Sequence, residues 1–410
     1  MMSLWSVGFV LVMWCGLSAR AYGADQPPAT EWIDADTGHR VIRLSSEPGS
    51  LSLYFHQNAY TPDGKKLIIT TPSGIAAVDL QTRAVELIVE GKVRPIIVGY
   101  RTNTIYYTRE GAIFATDVYT RATRQIAKIP PGGSVSSVNA DETLIAGTIT
   151  YGPDGSTPGP TSAPANLSKA QRIDWRYNQH LPMELFTINT ATGELKRFHR
   201  CNHWLNHVQF SPTDPDLLLF CHEGPWHKVD RTWTIRTDGT GLTMIHPRTM
   251  AMEIQGHEWF SADGKTVWYD LQTPRGQVFW VAGYELETGR RTWYSLQRDE
   301  WSVHFVSSPD GRLFAGDGGS EGMVARASNG KWIYLFRPEL VEDRGPPDVD
   351  SAKLIRPGIL RSERLVNMSR HDYALEPNVT FTPDMKWIVF RSNMLGPSHV
   401  FAVEIARAGS

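Results

Sequence analysis

A single phrase, repeated along the chain, restricts the possible folds more than any other feature. It consists of an aromatic or aliphatic residue, then Ser, Thr or Asn, a Pro-Asp-Gly-like turn, a cation or polar residue and a short apolar strand. It stands at 60–69 (YTPDGKKLII), 260–269 (FSADGKTVWY), 306–315 (VSSPDGRLFA) and 381–390 (FTPDMKWIVF). Looser copies begin at Val98, Val138 and Phe210, which makes seven. A second phrase follows, an apolar strand closed by Thr-Gly or an equivalent, as at 78–83 (VDLQTR), 188–193 (INTATG), 235–239 (IRTDG) and 284–289 (YELETG). Asp-Gly and Thr-Gly between apolar runs are hairpin chemistry, because glycine takes positive φ without a Cβ clash. Two hairpins per repeat give four antiparallel strands, which is a propeller blade. The chain is therefore expected to be all-β, a single seven-bladed β-propeller.

The spacing of the copies locates the insertions. Starts at 60, 98, 138, 210, 260, 306 and 381 are 38, 40, 72, 50, 46 and 75 residues apart, so extra chain lies near 151–180 and 337–372. The C-terminal 400–405 (VFAVEI) reads as the third strand of a blade that lacks a fourth. A turn at 36–38 followed by 41–44 (VIRL) supplies it from the N-terminal side. Pairing the two would close the ring and remove two sheet edges. A string of separate small β domains is the competing reading.

Composition serves mainly to exclude. With 41 Lys+Arg against 43 Asp+Glu and a net charge of −2, the chain has no basic excess for nucleic acid or an anionic membrane. Hydrophobic residues at 41% are enough for a large core, and 14 Trp, 14 Tyr and 15 Phe suit a β-rich protein with an aromatic-lined cleft. No Gly-x-Ser-x-Gly elbow, phosphate loop or dinucleotide fingerprint is present. Residues 1–23 read as a secretory signal: 4–17 is almost wholly apolar, too short to span a bilayer comfortably, and Ala21 and Gly23 suit signal peptidase. Export to the periplasm or medium is expected, with 24–410 as the propeller and an uncleaved N-terminal anchor as the alternative. Cys15 falls in the leader, which leaves Cys201 and Cys221 and one bridge between them open.

The histidines are the first sign of chemistry. Seven of 13, from His199 to His257, fall within 59 residues, several at strand ends beside turn residues. A lone strand-end histidine is usually a satisfied structural residue. Three in consecutive blades (His207, His222, His257) would instead converge on an axial mouth, where propellers bind ligands.

At these residues the chain resembles the oligogalacturonate lyases, seven-bladed propellers that cleave short pectin fragments. The likeness is carried by 220–226 (FCHEGPW), 229–233 (VDRTW), 256–260 (GHEWF), His304 ahead of 308–311 (SPDG), 316–318 (GDG) and 381–384 (FTPD), and extends loosely over 39–405. It implies β-elimination on a uronate oligosaccharide: a proton leaves C5, α to a carboxylate, and the C4 oxygen is expelled. Such chemistry needs a base at C5 and a charge to hold the carboxylate as the carbanion forms. The resemblance puts the base on His257 and the charge-neutralising arginine on Arg231. It makes His207, His222, Glu223 and Trp226 substrate-binding candidates.

The resemblance also implies a divalent metal, and here the chain departs from the family. A manganese-binding histidine falls on His304, but a Gln-x-x-His-x-His run falls on Tyr373, Glu376 and Asn378. Strand alternation would still turn Glu376 and Asn378 to one face. An imidazole, a carboxylate and an amide oxygen suit manganese, calcium or magnesium better than zinc or copper. His371 and Asp372 are reserve ligands, and a loss of metal with Glu376 pairing Arg391 is the opposing reading. Arg172 and Arg176, in the first insertion, form either a lid over a uronate or a solvated face. Two other functions remain: a lyase for another uronate glycan, such as ulvan or rhamnogalacturonan fragments, or a non-catalytic TolB-like propeller that binds a partner protein.

Overall fold

The computed structural model describes residues 31–156, 163–323, 328–342 and 353–409; the leader at 1–23 lies outside them. Apart from the helix Lys169–Asn178 and two short 3-10 turns, the regular elements are strands. Four antiparallel meanders stand alone, at 51–90, 94–128, 133–201 and 204–244, hereafter units 1 to 4. Units 5 (254–295) and 6 (305–367) merge into one eight-stranded sheet, because their outer strands Arg291–Ser295 and Arg356–Asn367 pair in parallel. Unit 7 takes three strands from 380–407 and a fourth, His39–Arg43, from the N-terminal side.

The turn phrase builds the same local structure each time. In unit 1, the Thr61 hydroxyl donates to Asp63 at 2.6 Å and accepts from the Lys66 amide, while the Lys65 amide donates to Asp63. Ser261 with Asp263, Ser308 with Asp310, and Thr382 with Asp384 repeat this pattern. Gly64, Gly264 and Gly311 follow at φ 69–70°, and Met385 takes the same left-handed conformation at φ 57°. The side-chain bonds therefore hold the turn even where a Cβ makes it costly.

Seven apolar clusters fill the seams between consecutive units. One example joins Val135 and Phe186 of unit 3 to Ile97 and Tyr106 of unit 2. Another joins Phe305 and Phe336 of unit 6 to Phe279 and Val281 of unit 5. The seam between units 7 and 1, with Val389, Val400, Leu67 and Ile69, makes the arrangement a closed circuit. Closure runs as the sequence implied: Val41 pairs with Val403 and Ile42 with Ala402, antiparallel. Glu31–Ile33 adds a further strand outside His39–Arg43.

The two insertions do different things. The second is absorbed into long paired strands, Trp332–Leu340 and Arg356–Asn367. The first holds the helix Lys169–Asn178, started by a capping box between Ser168 and Gln171. Its composition had not announced a helix.

Candidate active site

One register position recurs around the site. His207, His257 and Asn378 each stand three residues before the phenylalanine that opens the turn phrase (Phe210, Phe260, Phe381). All three have positive φ, at 48°, 46° and 55°. Pairing shifts register across His207 and His257, so both sit on bulges. A bulge re-aims a side chain, and a left-handed non-glycine residue costs on the order of 1–2 kcal/mol that the rest of the fold must offset. Gly256, just before His257, is required by close approach: a Cβ there would lie 2.6 Å from the Trp226 indole. That indole packs edge-on to His257, centroids 5.2 Å apart.

Two histidine–aspartate pairs stand beside it. His257 Nδ1 lies 3.0 Å from Asp270 Oδ2, and His304 Nδ1 lies 2.7 Å from Asp317 Oδ2, each aspartate thirteen residues on. A carboxylate at Nδ1 needs a proton there, which leaves the Nε2 lone pair of the neutral ring free. The rings stand 4.6 Å apart. The His257 side chain is 11% exposed and lines a cavity, whereas that of His304 is 0% exposed. Burial favours the neutral His257 ring, but the Asp270 carboxylate outweighs it and holds the pKa above the ordinary value of 6.5. His304 Nε2 is buried without a hydrogen bond and faces Glu376 Oε2 at 3.7 Å, too far for a direct bond.

Arg231 is placed otherwise than the sequence suggested. Its guanidinium is 1% exposed and already bidentate to Glu223, at 2.6 and 3.2 Å, with Nε donating to Glu258 at 3.2 Å. Trp226 stacks under it at 4.9 Å and donates its indole N–H to Glu223. Burial alone would raise the Glu223 pKa, but Arg231 holds it down to about 2. Glu223 is thus the anchor of a buried ion pair before it is a sugar ligand. Arg231 cannot take a substrate carboxylate without giving up that partner.

The cavity, of about 490 Å³, brings together Tyr54, His207, Glu223, Trp226, Arg231, His257 and Glu376. A second lobe of about 480 Å³ shares Lys169, Ile173, Trp226, His257 and Glu376 with it. The helix Lys169–Asn178 covers both, so Arg172 and Arg176 do line the cleft. His257 and Arg231 share this cavity with His304 directly behind, a convergence that a plain partner-binding propeller had no reason to produce.

Five of the readings above are corrected or closed here. His222 points to the other face of its strand, stacked on His203 at 4.2 Å and against Trp233; burial and the neighbouring histidines push its pKa down to about 3. Glu376 and Asn378 do not lie on a strand, since that strand begins only at Thr380. Asn378 is fully buried, its amide oxygen accepting from Phe55 N at 3.1 Å and its amide donating to the Glu376 carbonyl. His371 spends both ring nitrogens on Ser392 and the Leu375 carbonyl, and Asp372 turns back on the Ala374 amide. Cys201 and Cys221 are free thiols. Arg391 bonds the backbone carbonyl of Glu376, not its carboxylate. The sequence reading passed over Asp270, Glu258, Tyr54 and Lys169. For Asp270 a signal existed, a lone carboxylate in the otherwise apolar strand 266–271 (TVWYDL).

A family model described as oligogalacturonate lyase matches residues 29–408. The chain belongs to the oligogalacturonate lyase family. Within that family, the chain is 23% identical over 400 residues to an oligogalacturonide lyase of Pectobacterium atrosepticum, covering 91% of this chain and 95% of the relative. An oligogalacturonate lyase of Dickeya dadantii is 23% identical over 395 residues, with the same coverage. A solved oligogalacturonate lyase in complex with manganese shares the fold at TM-score 0.76 and 22% identity, over 94% of this chain and 98% of that one. A Vibrio parahaemolyticus oligogalacturonate lyase gives the same TM-score at 21% identity.

Proposed function

We propose that this protein is an exported lyase that cleaves uronate oligosaccharides, oligogalacturonate first, by β-elimination with His257 as the base. The observation that carries the reading is the His257–Asp270 pair opening onto a cleft: its Nδ1 is held, and its Nε2 is left to accept a proton. His257 takes the C5 proton, and Asp270 stabilises the imidazolium. As the C4–O bond breaks, the departing oxygen takes a proton from Tyr54, whose phenol burial and Glu376 keep protonated. Trp226 and His207 wall the sugar site.

The residues present fit a divalent ion. The buried, unpartnered His304 Nε2 faces the Glu376 carboxylate, and Asp317 fixes the tautomer that ligation requires. A nitrogen with a carboxylate suits manganese, with magnesium or calcium as alternatives. Bound there, the ion would neutralise charge on the uronate carboxylate. The cluster of His207, Cys221 and Glu223 is a poorer holder, because Arg231 already occupies Glu223.

The propeller occupies 24–410 after removal of the leader 1–23, and the protein works in the periplasm or medium. Support for export is the apolar stretch 4–17; among the described residues no helix is long and apolar enough to cross a membrane. Tyr373, Glu376 and Asn378 standing where the resemblance implies other ligands favours a second reading, a lyase for ulvan or rhamnogalacturonan fragments. Incubation with a panel of uronate oligomers, with and without EDTA, tests both by the ultraviolet absorbance of the unsaturated product. Absorbance from oligogalacturonate supports the first reading, and none from any uronate overturns both.

A further inference from the structure

The helix Lys169–Asn178 presents an unusual face to the cleft. Lys169, Arg172, Ile173 and Arg176 all line the cavity, and their spacing of three, one and three residues puts them on one stripe. A helix stripe turned toward the protein is normally apolar. This one carries three cations. Like charges four apart, as at Arg172 and Arg176, also weaken a helix, and Asp174 lies off the stripe. The cavity as a whole holds four cations (Lys169, Arg172, Arg176, Arg231) against two carboxylates (Glu223, Glu376). Arg231 is consumed by Glu223 and Glu258. Lys169 is 83% exposed and 3.9 Å from Glu376, and Arg172 reaches back to the Leu167 carbonyl.

Arg176 is the exception among these cations. It is 6% exposed, yet the only side-chain hydrogen bond it makes among the described residues runs from Nη2 to the Met183 sulfur at 3.2 Å, with Trp204 beneath the guanidinium at 5.4 Å. Sulfur is a weak acceptor, so most of its five N–H donors lack a strong partner. Burial pulls its pKa down. A buried guanidinium without an anion is unfavourable unless a ligand completes it. None of residues 157–162 (TPGPTS), which precede the helix, carries an acid.

We propose that Arg176, aided by Arg172, binds a uronate carboxylate of the substrate bidentately, the task the sequence had put on Arg231. Trp204 lies against the same guanidinium and lines the same wall. The inference rests on reading the cleft as a uronate site, and its test separates the two. Trigalacturonate and its methyl ester are titrated calorimetrically onto two proteins, His257→Ala, which cannot turn over, and His257→Ala with Arg176→Met. A charge-assisted bond of this kind predicts roughly 10- to 100-fold weaker binding of the acid by the double variant, and equal binding of the ester by both. Arg176→Lys in the same background should recover part of the affinity for the acid. Equal affinity for the acid in both proteins overturns Arg176 as the carboxylate ligand, as does an equal loss for acid and ester, which would be packing damage. A His257→Ala protein that binds no uronate removes the uronate reading and this proposal with it.

Discussion

His257 and His304 occupy neighbouring units, each with an aspartate thirteen residues on at its Nδ1, and their rings almost touch. What separates them is what meets the other nitrogen. His257 opens onto the cleft beside Trp226, in a backbone conformation that a bulge imposes. His304 is sealed under Tyr54 and Phe55 with a carboxylate opposite. Under the proposed function the same device would serve a proton acceptor where it opens onto the cleft and a metal ligand where it meets Glu376. A carboxylate on Nδ1 sets the tautomer, and the surroundings of Nε2 set the task.

The contrast is broken most directly at the rings. His257→Ala should lower kcat by roughly 10²–10⁴-fold, about 3–5 kcal/mol of barrier, with substrate affinity changed only a few-fold, because a base acts on the transition state. His304→Ala should instead lose bound manganese, read by elemental analysis after dialysis. A His257→Ala protein with a tenth or more of wild-type turnover would move the base to His207. Retention of stoichiometric metal by His304→Ala would free Glu376 and His304 from the ligand assignment.

Next come the aspartates. Asp317 is fully buried and accepts from the His304 amide at 2.8 Å, the His304 ring and the Asn378 amide at 3.0 Å. Asp317→Asn sets a donor among donors and should cost about 3 kcal/mol of stability in urea melts, with manganese affinity down roughly 10–100-fold. Asp270→Asn should leave metal affinity unchanged and act on the pH profile. Burial favours the neutral His257 ring, but the Asp270 charge favours imidazolium and holds the pKa above 6.5. Since only the neutral ring accepts a proton, kcat/KM should fall as pH drops through that raised value. Removing the charge should move the acid limb to lower pH; an unmoved limb would show that another group titrates there.

The smallest effect belongs to His222. Stacked on His203 away from the cleft, it should give an alanine variant within about two-fold of wild-type turnover. A ten-fold loss would bring it back to the substrate.

Much of this protein is determined locally, and that part was legible. Each turn phrase closes its own hairpin through a hydroxyl, an aspartate and a left-handed residue, all within five positions. The repeat therefore announced four-stranded antiparallel units and the pairing of 41–44 with the C-terminal strand. The places of His257 and His304 beside their turn phrases were legible too, three residues before Phe260 and two before Val306. Direction and partnership were not. Arg231 meets Glu223 of its own unit 4 and Glu258 of unit 5, and the second carboxylate arrives only when the two units pack, which no spacing within a unit encodes. His222 was misplaced because it alternates along its strand with Glu223, which lines the cleft, so its own ring stacks on His203 instead. Arg176 stayed open in the sequence between a lid over a uronate and a solvated face, because only the folded helix, laid across the cleft, shows its guanidinium buried against the cavity. Short-range hydrogen bonding is written in adjacent residues, whereas burial and charge pairing arise only when distant segments exclude water together.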